Sequence, residues 1–145
     1  ANPPPVVAVG VPVAVVGVPP IASDFFDQLE GLGMQVLYNE VPAEFTMMRT
    51  AHMTLAHIYC SYSYPYDCGY RLRRLAEEIA DRGVLAVIHY LQSFCHRQIG
   101  ASLLREGLPV PVLALECDRP GKLDPAALAR LESFAEMLRA GSEGK

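Results

Sequence analysis

The segment VIHYLQSFCHRQI, Val87 to Ile99, runs from an apolar stretch into His89, Gln92, Ser93, Cys95, His96 and Arg97. A cysteine beside histidines and an arginine, close to a helix start, is held toward the thiolate, the form that attacks electrophiles and binds metals. As a nucleophile Cys95 needs a positioned base, and His89 and His96 are available, although spacing alone places neither. As a ligand it suits an iron-sulfur centre, or a zinc site drawn from Cys95, His89, His96 and Cys117. The plain alternative is a buried cysteine acting as a small hydrophobe, and it stands beside the reactive ones. Cys60 and Cys68 flank SYSYPYD, and none of the four cysteines shows the close C-x-x-C spacing of a zinc ribbon or redox pair. His52 and His57 read as surface or structural groups, and Arg71, Arg73 and Arg74 as a solvated helix face.

The elements that must position these residues alternate between strand and helix. VPVAVVG, Val11 to Gly17, is a continuous β-branched run of the kind buried on both faces. A turn follows, then a helix capped at Ser23 or Asp24 and stopped at Gly31 or Gly33. MQVLYNE is a second strand. A helix is expected over Thr50 to Ile58, followed by a loop in which Pro65 forces Tyr64 to be extended. The next helix starts near Gly69, has Leu72, Leu75 and Ile79 on one stripe, and ends at Gly83. VLAVIHY is the third strand, RQIGASLLREG a helix weakened by Gly100, and PVPVLALE the fourth strand. The last helix has Asp124 as cap, Pro125 in its first turn, and a stripe of Leu128, Leu131, Ala135 and Leu138.

This alternation predicts βαβ units and a three-layer α/β domain, Rossmann- or flavodoxin-like, with a mainly parallel sheet of about four strands. Residues 1–10 read as a proline-rich leader or linker, 11–140 as a single domain and 141–145 as a tail. Ligands of such sheets sit beyond the carboxyl ends of the strands, where strand order reverses. GVPP lacks the spacing of a dinucleotide or triphosphate fingerprint.

At 145 residues the chain can bury a core without disulfide or metal staples. Its apolar half, 19% charged residues and net charge of -4 argue against disorder and against nucleic acid as a partner. Proline and glycine break every apolar run short of the roughly 20 residues a membrane span requires. The opening lacks the basic start of a signal peptide, so a cytoplasmic protein without membrane partners is expected.

GVPPI, YSYPYD with a following arginine, GVLAVIHYLQSFCHRQI and VPVLALECDRPGKLD followed by RLESFAEML resemble the carboxyl-terminal domain of subunits of the 2-hydroxyacyl-CoA dehydratase and benzoyl-CoA reductase family. The likeness runs in order from about Val13 to Leu138, and HYLQSFCHRQI with LECDRPGKLD is its specific part. It implies a [4Fe-4S] cluster held by cysteines between two successive α/β domains, with Cys95 at one ligand position; Cys117, which follows the fourth strand much as Cys95 follows the third, is a candidate additional ligand by position alone. It further implies a CoA thioester substrate, a homologous dehydratase domain or subunit as partner, and a separate ATP-dependent iron-sulfur activator protein. That activator injects one electron, and ketyl-radical chemistry then eliminates water from a (R)-2-hydroxyacyl-CoA. His89, Gln92, Ser93, Arg97, Tyr64, Tyr66, Asp118 and Arg119 become candidates for the cluster surroundings or the substrate pocket. The family's other cluster cysteines lie in a preceding domain that has no counterpart in this sequence, and Cys117 stands where the family pattern has glycine. The expectation is a domain or separately encoded half completed by another chain; a lone domain with its own site, or a non-catalytic module binding CoA or a protein, are the alternatives.

Overall fold

The computed structural model describes residues 10–46, 53–62 and 68–142. Most of the expected leader, His52, the beginning of the helix expected from Thr50, and the loop residues Tyr64, Pro65 and Tyr66 lie outside them.

The β-branched run forms β1 (Val11–Gly17), buried from Val13 onward. It is followed by α1 (Phe25–Gly31), β2 (Met34–Asn39), α2 (Glu40–Phe45), α3 (Leu55–Cys60), α4 (Cys68–Arg82) and β3 (Ala86–Leu91). A 3-10 turn (His96–Ile99), α5 (Gly100–Gly107), β4 (Val112–Glu116) and α6 (Pro125–Ser142) complete the order. The sheet is four-stranded with order β2-β1-β3-β4, and every neighbouring pair is parallel. The expected three-layer α/β architecture is the observed one. β1 and β3 are the central pair, which explains why they are the most apolar stretches: a strand covered by helices on both faces has no side left for water.

Alternation along the strands sorts the side chains into two cores. Val13, Val15, Ile88 and Tyr90 pack with Phe25 and Leu29 of α1 and with Leu131, Phe134 and Ala135 of α6. Ala14, Val16 and Val87 pack with Leu75 and Ile79 of α4 and Leu104 of α5. Each fully buried leucine or phenylalanine here contributes about 1.5–3 kcal/mol of apolar transfer. Among the described residues no helix is long and apolar enough to cross a membrane.

Several local expectations are corrected. Asp24 occupies the N-cap position of α1 but makes no side-chain cap bond there. Its carboxylate instead accepts the Leu123 N–H at 2.8 Å, and the Ser23 hydroxyl donates to the Gly121 carbonyl at 3.1 Å. Both candidate caps are spent on joining the loop after β1 to the loop after β4. The helix expected over Thr50 to Ile58 forms later, at Leu55–Cys60, where the Thr54 hydroxyl accepts the His57 N–H. Gly100 begins α5 rather than interrupting a longer helix, and a Cβ there would stand 3.3 Å from Cys68 Sγ at the start of α4. Arg71 is the largest departure: it is buried inside the α4 layer, whereas Arg73 is exposed.

The chain passes from β1 to β2 on one side, then crosses α4 to place β3 on the other. Strand order therefore reverses between β1 and β3, and their carboxyl ends open the crevice where such sheets bind ligands.

Candidate functional site

Three groups of polar side chains meet the carboxyl rim of the sheet. The first is the turn after β3. The Cys95 N–H donates to the Gln92 carbonyl at 3.1 Å, and the Cys95 carbonyl accepts the Gln98 N–H at 2.9 Å. Phe94 sits third in the turn with φ 63°, and among the described residues it is the non-glycine residue with positive φ. That position of a type II turn ordinarily selects glycine. The Phe94 side chain is fully exposed, so no packing offsets the strain. Replacing Phe94 with glycine is therefore expected to stabilise the fold by about 1 kcal/mol, read as a raised urea midpoint at constant slope.

Asp118, just beyond β4, reaches back to this turn and accepts the Ser93 N–H at 2.6 Å. The hydrogen bonds from the Ser93 hydroxyl and N–H hold the Asp118 carboxyl below its usual range. Gln98 donates its side-chain amide to Glu116, the residue opposite Leu91 in the β3–β4 register. Cys95 itself is half-buried on the rim and its thiol is free.

The second group lies on the α1/α6 side. Tyr90 is completely buried, and its hydroxyl accepts the Ile21 and Ala22 N–H groups, each at 3.2 Å. Burial chiefly pushes the nearby Cys117 thiol up, an effect the Tyr90 hydroxyl partly opposes. Above them Ser23 N donates to the Gly121 carbonyl at 2.7 Å, sewing the two loops shut.

The third group lies on the α4/α5 side. Arg71 meets Glu40 in a two-pronged pair, Nε and Nη2 each 2.6 Å from a carboxylate oxygen, and Glu40 also accepts the Gly17 N–H at 2.9 Å. His89 shares this side with Val87 by alternation, is fully buried, and finds no hydrogen-bond partner for either ring nitrogen. Burial, then the neighbouring Arg71 charge, lower its pKa to about 3. Gly17 has φ 111°, and a Cβ there would lie 2.2 Å from the Tyr90 carbonyl oxygen and 2.8 Å from His89 Cδ2, so only glycine lets β1 approach β3 this closely.

A protein-family model, that of the 2-hydroxyglutaryl-CoA dehydratase D-component, matches residues 6–138. The chain belongs to that family. A comparison with curated proteins gives no match. In this dehydratase-family chain the rim brings Gln92, Ser93, Cys95 and Asp118 together in one turn-and-clasp unit. Arg97 lies in the 3-10 turn that follows, its side chain outside the described part, and Arg119 is exposed one residue past Asp118. His89 belongs to the buried group beneath Gly17, and Cys117 to the buried group under the sewn loops. Tyr64 and Tyr66 fall outside the described residues.

Among the described residues no three histidine, cysteine or acidic side chains are placed to hold a metal ion, so the zinc alternative from Cys95, His89, His96 and Cys117 is not assembled. Cys60 and Cys68 are exposed and free. The Arg71–Glu40 pair departs from the solvated face expected for Arg71. Its available signal was helical period: Arg71 stands four residues before Leu75 and eight before Ile79, on the stripe that faces the sheet.

Proposed function

We propose that this chain is the cluster-facing domain of a 2-hydroxyacyl-CoA dehydratase component, contributing Cys95 as one thiolate to a [4Fe-4S] cluster completed by a homologous domain or subunit. The observation that carries the proposal is the position of Cys95: a half-buried free thiol on the carboxyl rim, in a chain whose family match spans residues 6–138. Family membership supports a multi-component system. An ATP-dependent iron-sulfur activator is its natural electron source.

The donor set fits one corner of the cluster. Such a cubane takes four ligands, whereas the described residues gather no group of three. When bound, the cluster would lend a single electron that makes the 2-hydroxyl of a (R)-2-hydroxyacyl-CoA removable as water, and would take that electron back as the enoyl-CoA forms. The chain's own residues present the thiolate, hold its turn and exclude water beneath it. Phe94 stands on the outer side of that turn, fully exposed, where a second domain can cover it. Gln92, Ser93 and Arg97 are the candidates for hydrogen bonds to sulfur or to substrate, the lever by which surroundings tune such a centre.

Anaerobic reconstitution with iron and sulfide tests this. The isolated chain is expected to hold well under the four irons of a full cluster, the chain co-purified with its homologous partner to approach it, and Cys95→Ala to lose the cluster from the pair. A stable stoichiometric cluster on the lone chain, abolished by Cys117→Ser, would overturn the shared-cluster reading.

A further inference from the structure

We propose that Asp118 and Glu116 are positioning residues for Cys95, forming a two-point clasp from β4 that fixes the direction in which the thiol is presented. The purpose assigned to the clasp rests on the ligand role proposed for Cys95; the clasp itself rests on hydrogen bonds. Asp118 takes the Ser93 N–H two residues before the cysteine, and Glu116 takes the Gln98 side chain three residues after it. Between these points the Cys95 N–H and carbonyl are both engaged within the segment, by Gln92 and Gln98. The Cys117 N–H donates to the Leu91 carbonyl at 2.9 Å, so β4 remains paired to β3 up to the residue before the turn.

The turn needs such a restraint. Phe94 occupies a left-handed conformation with an exposed ring, and nothing in its own packing favours that geometry. An ionised acceptor on the preceding N–H is among the stronger restraints a loop can have. Because Phe94 is the described non-glycine residue with positive φ, Ser93 at the second position has negative φ, the arrangement of a type II turn. Proline suits that second position, which provides a way to delete the donated N–H without touching the acid.

The test follows the rate at which iodoacetamide labels Cys95 in the full chain, resolved by peptide mass spectrometry, with the exposed Cys60 and Cys68 as internal standards. Asp118→Ala is expected to speed Cys95 labelling by about fivefold, the loss of one hydrogen bond from a restrained turn, with the labelling of the standards unchanged. Asp118→Asn keeps an acceptor oxygen and is expected to restore the slow rate. Ser93→Pro should match Asp118→Ala, and combining the two should add nothing further. The clasp is refuted if Asp118→Ala and Ser93→Pro both leave Cys95 at the wild-type rate, or if Asp118→Asn labels as fast as Asp118→Ala. Labelling needs no cluster, so the two proposals fail separately. Faster labelling without cluster formation in the paired complex removes the ligand role and keeps the clasp, and unchanged labelling with cluster formation does the reverse.

Discussion

Truncating Glu40 to alanine is expected to lower the unfolding free energy by about 3–5 kcal/mol, the range for removing one partner of a buried ion pair. The Glu40 side chain is fully buried and that of Arg71 is 5% exposed, so the surviving guanidinium loses its carboxylate where water cannot replace it. The hydrogen bond from the Gly17 N–H to the Glu40 carboxylate is lost as well. Urea denaturation measures the effect, and the slope distinguishes lost stability from a changed unfolded state. Replacing both partners with apolar residues, Glu40→Leu with Arg71→Met, should recover most of the loss, because the pair's attraction and the desolvation of its charges roughly cancel. Loss of the hydrogen bond between the Gly17 N–H and Glu40 leaves a residual deficit of about 1 kcal/mol. A cost for Glu40→Ala no larger than that of an exposed ion pair would show that α4 does not depend on this contact.

The second large effect concerns acid. His89 titrates at about 3 in the folded chain against an ordinary value of 6.5. Between those values the unfolded chain binds a proton that the folded chain refuses, so stability falls as pH falls, by up to about 1.4 kcal/mol per pH unit. Above about pH 6.5 both states hold a neutral imidazole and the term vanishes. The main cause is burial, to which the Arg71 charge adds. His89→Leu removes the titrating group together with two buried, unpartnered nitrogens. At pH 7 it should be neutral or slightly stabilising, and between pH 7 and 4.5 its midpoint should fall much less than the wild type's. Asp24 and Asp118, whose carboxyls are held below the usual range, add their own losses only at lower pH. That separation makes the pH 4.5–7 window diagnostic; an identical decline in both proteins there would remove His89 as the source.

How far the sequence alone leads depends on the range of the interaction involved. β1 is legible to the residue, since a β-branched run buried on both faces has few other uses. The start of α6 is equally legible: Asp124 accepts from Ala126 and Ala127 N–H at 2.8 and 2.9 Å, and Pro125 occupies the first position that needs no donor. The cysteine turn could be placed at a strand end, because strand and turn are both local. Arg71 was obscured by its neighbours: in RLRR three cations read as a wet face, and the partner that draws one of them inside lies 31 residues earlier. Nothing near Glu40 marks it as that partner. Likewise Asp24 has every local mark of a cap, and only the approach of Leu123, 99 residues away, diverts its carboxylate. Asp118 was a candidate by motif, but its reach to Ser93 depends on β3 and β4 being neighbours, which follows from strand order rather than from either segment.

His89 and Tyr90 are consecutive, yet they face opposite layers, one imidazole without hydrogen-bond partners and one phenol accepting two backbone N–H groups. A slip of β3 by a single residue would exchange them, sending the phenol toward Arg71 and stranding the Ile21 and Ala22 amides. Adjacent polar residues in the most apolar strand thus act as a registration mark, penalising every misaligned assembly of the sheet far more than a uniformly aliphatic strand would.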